Sequence, residues 1–382
     1  MREVTLNVLD SLVAIPAADW DALTGGNPTL RHAFLQSMID AGCTTAETGW
    51  LPQFLTLWRQ ADDGDGREKL CGAVPLYVKG HSYGEYVFDW AWAEAYQRNG
   101  LAYFPKLLAA VPFTPCSGAR LMACTATDRK ILLDSLLGLT RQSAVSSLHV
   151  LFPDAVELPL LTDAGMLPRT SIQFHWRNDH YRTFDDFLAT MNHDKRKKLK
   201  QERRKVVEAG IVFRQLTGDE ITAADWDFFA RCYGHTYRAH LSTPYLNREF
   251  FGLIGERMPG NILLIIAERE GKPIACALNL WEAKTLYGRY WGALEFHSGL
   301  HFETCYYQAQ EFCIARGIQV FEGGAQGEHK LARGFLPVKC HSAHWLKEPR
   351  FARAVEDFLA RESGGIDQYV NELGESSPFK AG

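Results

Sequence analysis

Two short stretches of this chain occur twice, in the same order. Tyr83-Gly84-Glu85-Tyr86 aligns without gaps with Tyr287-Gly288-Arg289-Tyr290, and the same register sets Ala73 against Ala277 and Leu76 against Leu280. Further on, Gly165-Met166-Leu167-Pro168 followed by His175-Trp176 matches Gly334-Phe335-Leu336-Pro337 followed by His344-Trp345, at identical internal spacing. Two ordered matches with extended context make a duplicated fold the best reading, because a unit repeated in sequence is a unit repeated in space. The first half is longer between its two matches. We place the excess at about residues 100–128, where Pro112-Phe113-Thr114-Pro115-Cys116-Ser117-Gly118 predicts an ordered loop rather than a helix.

The local patterns of the two halves agree with duplication. In the first, Gln53 to Arg59 alternates like a strand, Ala61 to Glu68 reads as a turn, and Leu70 to Val78 returns as a strand. A helix is expected over Asp128–Gln142 and a strand over Ser147–Phe152. In the second, Asn261–Ala267 and Ile274–Trp281 flank a turn, a helix is expected at about Phe302–Arg316 with Gly317 as its stop, and Ile318–Glu322 follows as a strand. Each half is therefore α+β, with helices and strands mixed. At 382 residues the chain exceeds one ordinary core, so two domains are expected, 1–180 and 181–382.

Charge is distributed unevenly. The net charge is only −4, yet Asp194 to Lys205 holds eight bases and, after Asp194, one acid, Glu202. A basic helix over about 190–208 is expected, opening the second domain. Read as a solvated linker it has no task; read as a docking face, its Lys197, Lys200 and Arg204 would meet phosphate. Nine cysteines without a Cys-x-x-Cys pair, and no signal peptide, point to reduced thiols in a cytoplasmic protein. The longest aliphatic run, Ile262–Ala267, is too short to span a bilayer.

Several segments carry a family resemblance: Lys79-Gly-His-Ser-Tyr-Gly-Glu-Tyr-Val-Phe-Asp89, Gln173-Phe-His-Trp176, Tyr287-Gly-Arg-Tyr-Trp291, Leu300-His-Phe-Glu-Thr-Cys-Tyr-Tyr-Gln308 and Gly324-Ala-Gln-Gly-Glu-His-Lys330. They resemble bacterial Fem-like proteins of the GNAT acyltransferase superfamily. The resemblance implies tandem GNAT-like domains with a cleft at their junction. It also implies acyl or aminoacyl transfer to an amine acceptor in peptidoglycan-precursor metabolism, with aminoacyl-tRNA or acyl-CoA as donor substrate and no permanently bound cofactor. In Fem transferases a Phe-Lys-x-x-Phe pattern brings a lysine to substrate phosphate, and Lys330 takes that position here, with His329 in place of the first Phe. The acetyl-CoA loop pattern, Gln/Arg-x-x-Gly-x-Gly/Ala, starts correctly at Arg289 and fails at Leu294. A CoA-dependent N-acetyltransferase and a non-catalytic binder of peptidoglycan precursors or RNA stay open as alternatives.

The candidate site residues cluster where glycines permit close approach. Amide formation needs a base for the amine proton and donors for the carbonyl oxygen. Glu303, Glu322, Glu328 and His329 are the candidate acids and bases, while Lys330, Arg289, Tyr290 and Gln326 are candidates to hold substrate. His81, Glu85 and Asp89 form a second polar cluster that could line a cleft. No zinc site is expected: His301 and Glu303 precede Cys305 on one helix, and no Pro-Cys-x-x-Cys follows. Cys305 is read first as a small packing residue.

Overall fold

The computed structural model describes residues 4–60, 68–325 and 327–380. They form two compact units, Met1–Ser171 with Cys340–Asp367 and Ile172–Lys339 with Gln368–Gly382. The chain first passes from one unit to the other between Ser171 and Ile172. Each unit also takes residues from the far end of the chain: the first takes most of the last strand with the start of the helix Pro349–Glu375, and the second takes the last turns of that helix.

In the first unit, β1 (Val4–Leu9), β2 (Trp50–Pro52), β3 (Phe54–Gln60), β4 (Glu68–Val74), β5 (Leu76–Lys79), β6 (Lys106–Ala109), β7 (Met122–Ala123) and β8 (Ser147–Leu151) follow in order. β1, β3, β4 and β7 make one antiparallel sheet. In the other, β2 pairs with β5 and β5 with β6, both antiparallel, and β6 runs parallel to β8. Residues 342–346 of the chain's last strand close it against β8. The helix Ala126–Gln142 makes the β6-to-β8 crossover, its first turn capped by the Thr125 hydroxyl accepting from the Asp128 amide at 3.1 Å. Its Leu132, Leu133, Leu136 and Leu137 are buried with Leu107, Ala109, Leu148 and Val150. Each such side chain contributes about 1.5–3 kcal/mol on burial.

Strand β6 lies inside the stretch expected to be a loop. Its four residues are buried on both faces, the pattern of a strand with a parallel partner. The extra length of the first half falls earlier, over residues 80–105, and contains the helix Trp90–Arg98.

The second unit takes the end of β9 (Leu167–Arg177), then β10 (Ile211–Thr217), β11 (Ile262–Arg269), β12 (Lys272–Trp281), β13 (Thr285–Ala293), β14 (Val320–Ala325) and the start of β15 (Leu336–Leu346). β10 to β13 form an antiparallel meander. A helical segment over Leu300–Arg316 leads to β14, which runs parallel to β13, and β9 closes antiparallel on β14. This repeats the plan of the first unit: β13 corresponds to β6 and β14 to β8.

One sequence match survives that correspondence and one does not. His344 lies opposite His149 on β8, and His175 lies opposite Glu322 on β14, so the two Gly-x-x-Pro…His-Trp segments are structurally equivalent. Tyr287-Gly-Arg-Tyr290 lies in β13, but Tyr83-Gly-Glu-Tyr86 lies in an irregular loop, with Tyr86 at φ 61°. That match is a coincidence of composition.

Candidate active site

β13 and β14 pair only over Thr285–Tyr287 and Val320–Glu322. The ladder then breaks, because the register between β14 and β9 shifts between Glu322 and Ala325. Glycines make the break possible. Gly324 has φ +76°, and a Cβ on Gly323 would sit 2.9 Å from the Phe174 carbonyl oxygen. Where the strands part, a cavity of about 420 Å³ opens, lined by Gly288–Trp291, Gly323, Cys305, Tyr306, His301, His329 and Lys330, with Asn279 of β12 behind them. That volume suits a small ligand or one arm of a larger one.

The helical wall contains a π-turn, Glu303–Tyr307, between Leu300–Phe302 and Gln308–Arg316. One extra residue in the turn redirects side chains, a device common at functional sites. The opposite wall is a 3₁₀ segment, Glu328–Arg333. The Tyr306 hydroxyl and His329 Nε2 share a hydrogen bond of 2.9 Å, and Lys330 Nζ donates to the Gly324 carbonyl at 3.2 Å.

The charge of this cavity has one sign. Among the described residues its lining holds Arg289, His301, His329 and Lys330 and no carboxylate. Burial, reinforced by Lys330 and Arg333, keeps the His329 imidazole below its ordinary range, so it is neutral at pH 7. Burial brings Lys330 down to about 8, which leaves it mostly charged at neutral pH. Burial drives the Tyr306 hydroxyl and the Cys305 thiol far up, so both stay protonated. Cys305 is therefore no nucleophile in this setting.

Arg333 braces the arrangement. Its guanidinium lies 3.3 Å over the Phe302 ring, donates to the His329 carbonyl at 2.6 Å, and donates to Glu202 at 2.7 Å. Glu202 also accepts from Tyr307. Glu202 belongs to the basic helix, which spans His193–Glu208, so that helix is tied through one arginine to the loop carrying His329.

Of the residues singled out in the sequence, Arg289, Tyr290, His329 and Lys330 meet at the cavity. The three acids do not line it. Glu303 is buried and receives Arg203 at 2.9 Å and Gln308 at 2.8 Å. Glu322 is buried on β14 opposite His175, and Glu328 is exposed and accepts from Tyr369. Gln326 lies outside the described residues. Lys197, Lys200 and Arg204 are exposed on the basic helix, with Lys200 3.5 Å from Asp185. Tyr306, Asn279 and His301 were not singled out as site residues; the glycine-framed aromatic Leu300–Gln308 segment was the signal that could have found Tyr306.

The other polar cluster, in the first unit, is a closed knot. Lys106 is fully buried and donates to Ser82 at 3.0 Å, to Glu85 at 2.8 Å and to Asp89. Tyr103 donates to Asp89 at 2.6 Å and contacts His149, whose Nδ1 shares a 2.7 Å hydrogen bond with Nδ1 of His344. Burial lowers both imidazoles, His149 to about 3, so the pair is neutral and one ring donates to the other. Burial raises Glu85 to about 7 against the pull of Lys106. Burial opposes ionisation of Asp89 too, but the charge and hydrogen bond of Lys106 outweigh it and hold its carboxyl below the usual range. His81 stands apart, its Nδ1 accepting from the Tyr83 amide at 3.2 Å. No helix among the described residues is long and apolar enough to cross a membrane.

Residues 11–381 match the model of a family described as peptidoglycan biosynthesis/recognition, FemAB-like. No curated protein matches the sequence. Among solved structures the chain is similar to FemX, with TM-score 0.56 and 10% identity over 93% of this chain and 100% of that one. It is also similar to L-PGS from Bacillus licheniformis, with TM-score 0.52 and 9% identity over 90% and 96%. A conserved protein of unknown function from Bacteroides thetaiotaomicron gives TM-score 0.50 and 14% identity over 90% and 100%. At these identities the likeness is one of fold. The architecture is the mixed α/β tandem of two similar units expected from the sequence.

Proposed function

Because the chain belongs to the FemAB-like family, we propose that it is an acyl or aminoacyl transferase of peptidoglycan metabolism, joining an activated acyl group to an amine of a peptidoglycan precursor. The observation that carries this reading is the meeting, across one cavity, of a neutral imidazole with a buried ammonium and a protonated phenol. His329 takes the proton of the attacking amine and gives it to the thiolate or alkoxide that leaves as the donor's thioester or ester bond breaks. Tyr306, which cannot ionise here, donates to the carbonyl oxygen as it gains charge, and Lys330 holds a phosphate or carboxylate of the substrate. A cavity with no carboxylate among its described lining residues suits an anionic or neutral donor group and disfavours the free ammonium of an aminoacyl donor. The parted edges of β13 and β14 leave main-chain groups for an extended, amide-bearing ligand arm. This favours acyl-CoA as donor, with aminoacyl-tRNA the alternative.

The test supplies a soluble muramoyl-pentapeptide nucleotide as acceptor, with acetyl-CoA, longer acyl-CoA or charged transfer RNA as donor, and follows product mass. A mass increase on the peptide amine, with one donor class, supports transfer and identifies the donor. Tight binding of the acceptor with no product from any donor overturns turnover in favour of recognition alone.

A further inference from the structure

The basic helix carries more charge than its packing uses. Leu199 and Val206 are buried, and Arg203 is spent on Glu303 and Glu311, at 2.9 and 2.8 Å. Lys197, Lys198, Arg204 and Lys205 are exposed, and among the described residues no carboxylate lies within 4 Å of their ammonium or guanidinium nitrogens. Asp194 and Glu208 stand at the helix ends and leave the middle uncompensated.

The loop 294–299, between β13 and the helical wall, packs along this helix. A Cβ on Gly299 would lie 3.0 Å from the Glu202 carbonyl oxygen and 3.3 Å from Val206. Arg269 bridges the same two elements, donating to the Ala209 carbonyl at 3.2 Å and reaching Glu295 at 3.8 Å. On this loop Phe296 is 95% exposed and Leu294 43%. The acid of the loop, Glu295, is held by Arg269 and His297. Helical spacing places Lys198 and Lys205 on either side of Glu202, the residue the loop touches.

Uncompensated bases beside an almost fully exposed phenylalanine are what an anionic lipid surface recognises: charge brings the protein in, and apolar side chains enter the acyl boundary. We propose that this face, Lys198 and Lys205 of the basic helix with Phe296 and Leu294 of the adjoining loop, docks the protein reversibly on membranes rich in anionic phospholipid. RNA shares the attraction to bases, and Phe296 could stack on a base. The aliphatic Leu294 cannot stack, and it tips the reading to lipid. The inference does not depend on the transferase reading, since it concerns where the protein sits and not what the cavity does.

The test sediments the full chain with vesicles of phosphatidylcholine alone and of phosphatidylcholine mixed with phosphatidylglycerol. Binding is expected only to the mixed vesicles, weakening as salt rises. Phe296→Ser is expected to weaken it about tenfold, and Lys198→Glu with Lys205→Glu by more than tenfold. Circular dichroism confirms that both variants fold. No sedimentation with mixed vesicles at low salt overturns the proposal. So does vesicle binding indifferent to Phe296→Ser but abolished by transfer RNA, which would make the face a nucleic-acid surface.

Discussion

The two units answer the same geometric question in opposite ways. Each has a parallel strand pair joined by a crossover helix and closed by a strand bearing a His-Trp pair. In the first unit, insertion of residues 80–105 brings Glu85, Asp89, Trp92 and Tyr103 onto Lys106 and His149. Trp92 stacks edge-on against His344 with ring centroids 4.9 Å apart. In the second, the strands part at Gly323 and Gly324 and leave space bordered by His329 and Lys330. Similar residue types, lysine, histidine and tyrosine, thus serve cohesion in one unit and line a cavity in the other. What separates the two uses is whether the chain closes over these groups, as residues 80–105 do, or parts beside them, as β13 and β14 do.

The largest effect should come from unpicking the knot. Lys106→Ala leaves Asp89 buried without its cation and Glu85 with only Lys79, 4.0 Å away, and is expected to destabilise the first unit by about 3–5 kcal/mol in denaturant melting. Lys106→Met combined with Glu85→Gln and Asp89→Asn removes charge from both sides and should recover most of that loss. A loss below about 1 kcal/mol for Lys106→Ala would mean the knot is not the structural device that separates the units.

Next in size is the cavity's own base. His329→Ala should lower kcat of the transfer reaction by about 100-fold, as expected for loss of a general base, while melting stays within about 0.5 kcal/mol because His329 is exposed. Equal losses of kcat and stability would instead make it a packing residue.

How much of this was readable beforehand follows from the same contrast. His329, Lys330, Arg289 and Tyr290 stand beside glycines that a ligand site needs, so local sequence exposes them. The repeated His-Trp pair marks equivalent strands. Glu322 and Glu303 sit in equally suggestive sequence, but a one-residue step along a strand, or a π-turn in a helix, decides which way a side chain faces, and neither is written locally. Lys106 was invisible for another reason. A single lysine before Leu107-Leu108-Ala109 looks like a strand end, and its partners come from a segment seventeen and more residues away whose fold the sequence pattern misplaced.

The smallest effect near neutral pH, and the sharpest test of the cavity, is the shape of the pH profile. His329 lies below its ordinary value of 6.5, through burial and the nearby Lys330 and Arg333. The reactive neutral form therefore fills as pH rises, and kcat/KM should climb along an acid limb centred below 6.5. Lys330 titrates at about 8 because burial disfavours its charge. The cation that holds the anionic group is lost as pH rises through that value, giving an alkaline limb. Arginine stays charged across this range, so Lys330→Arg should abolish the alkaline limb, leave the acid limb in place and change the rate at pH 7 by less than about tenfold. The first unit offers the control: its Lys79, lowered by burial to about 7 with Glu85 raising it in part, titrates nearby but lies outside the cavity. Persistence of the alkaline limb in Lys330→Arg would transfer it to another group and detach Lys330 from substrate binding.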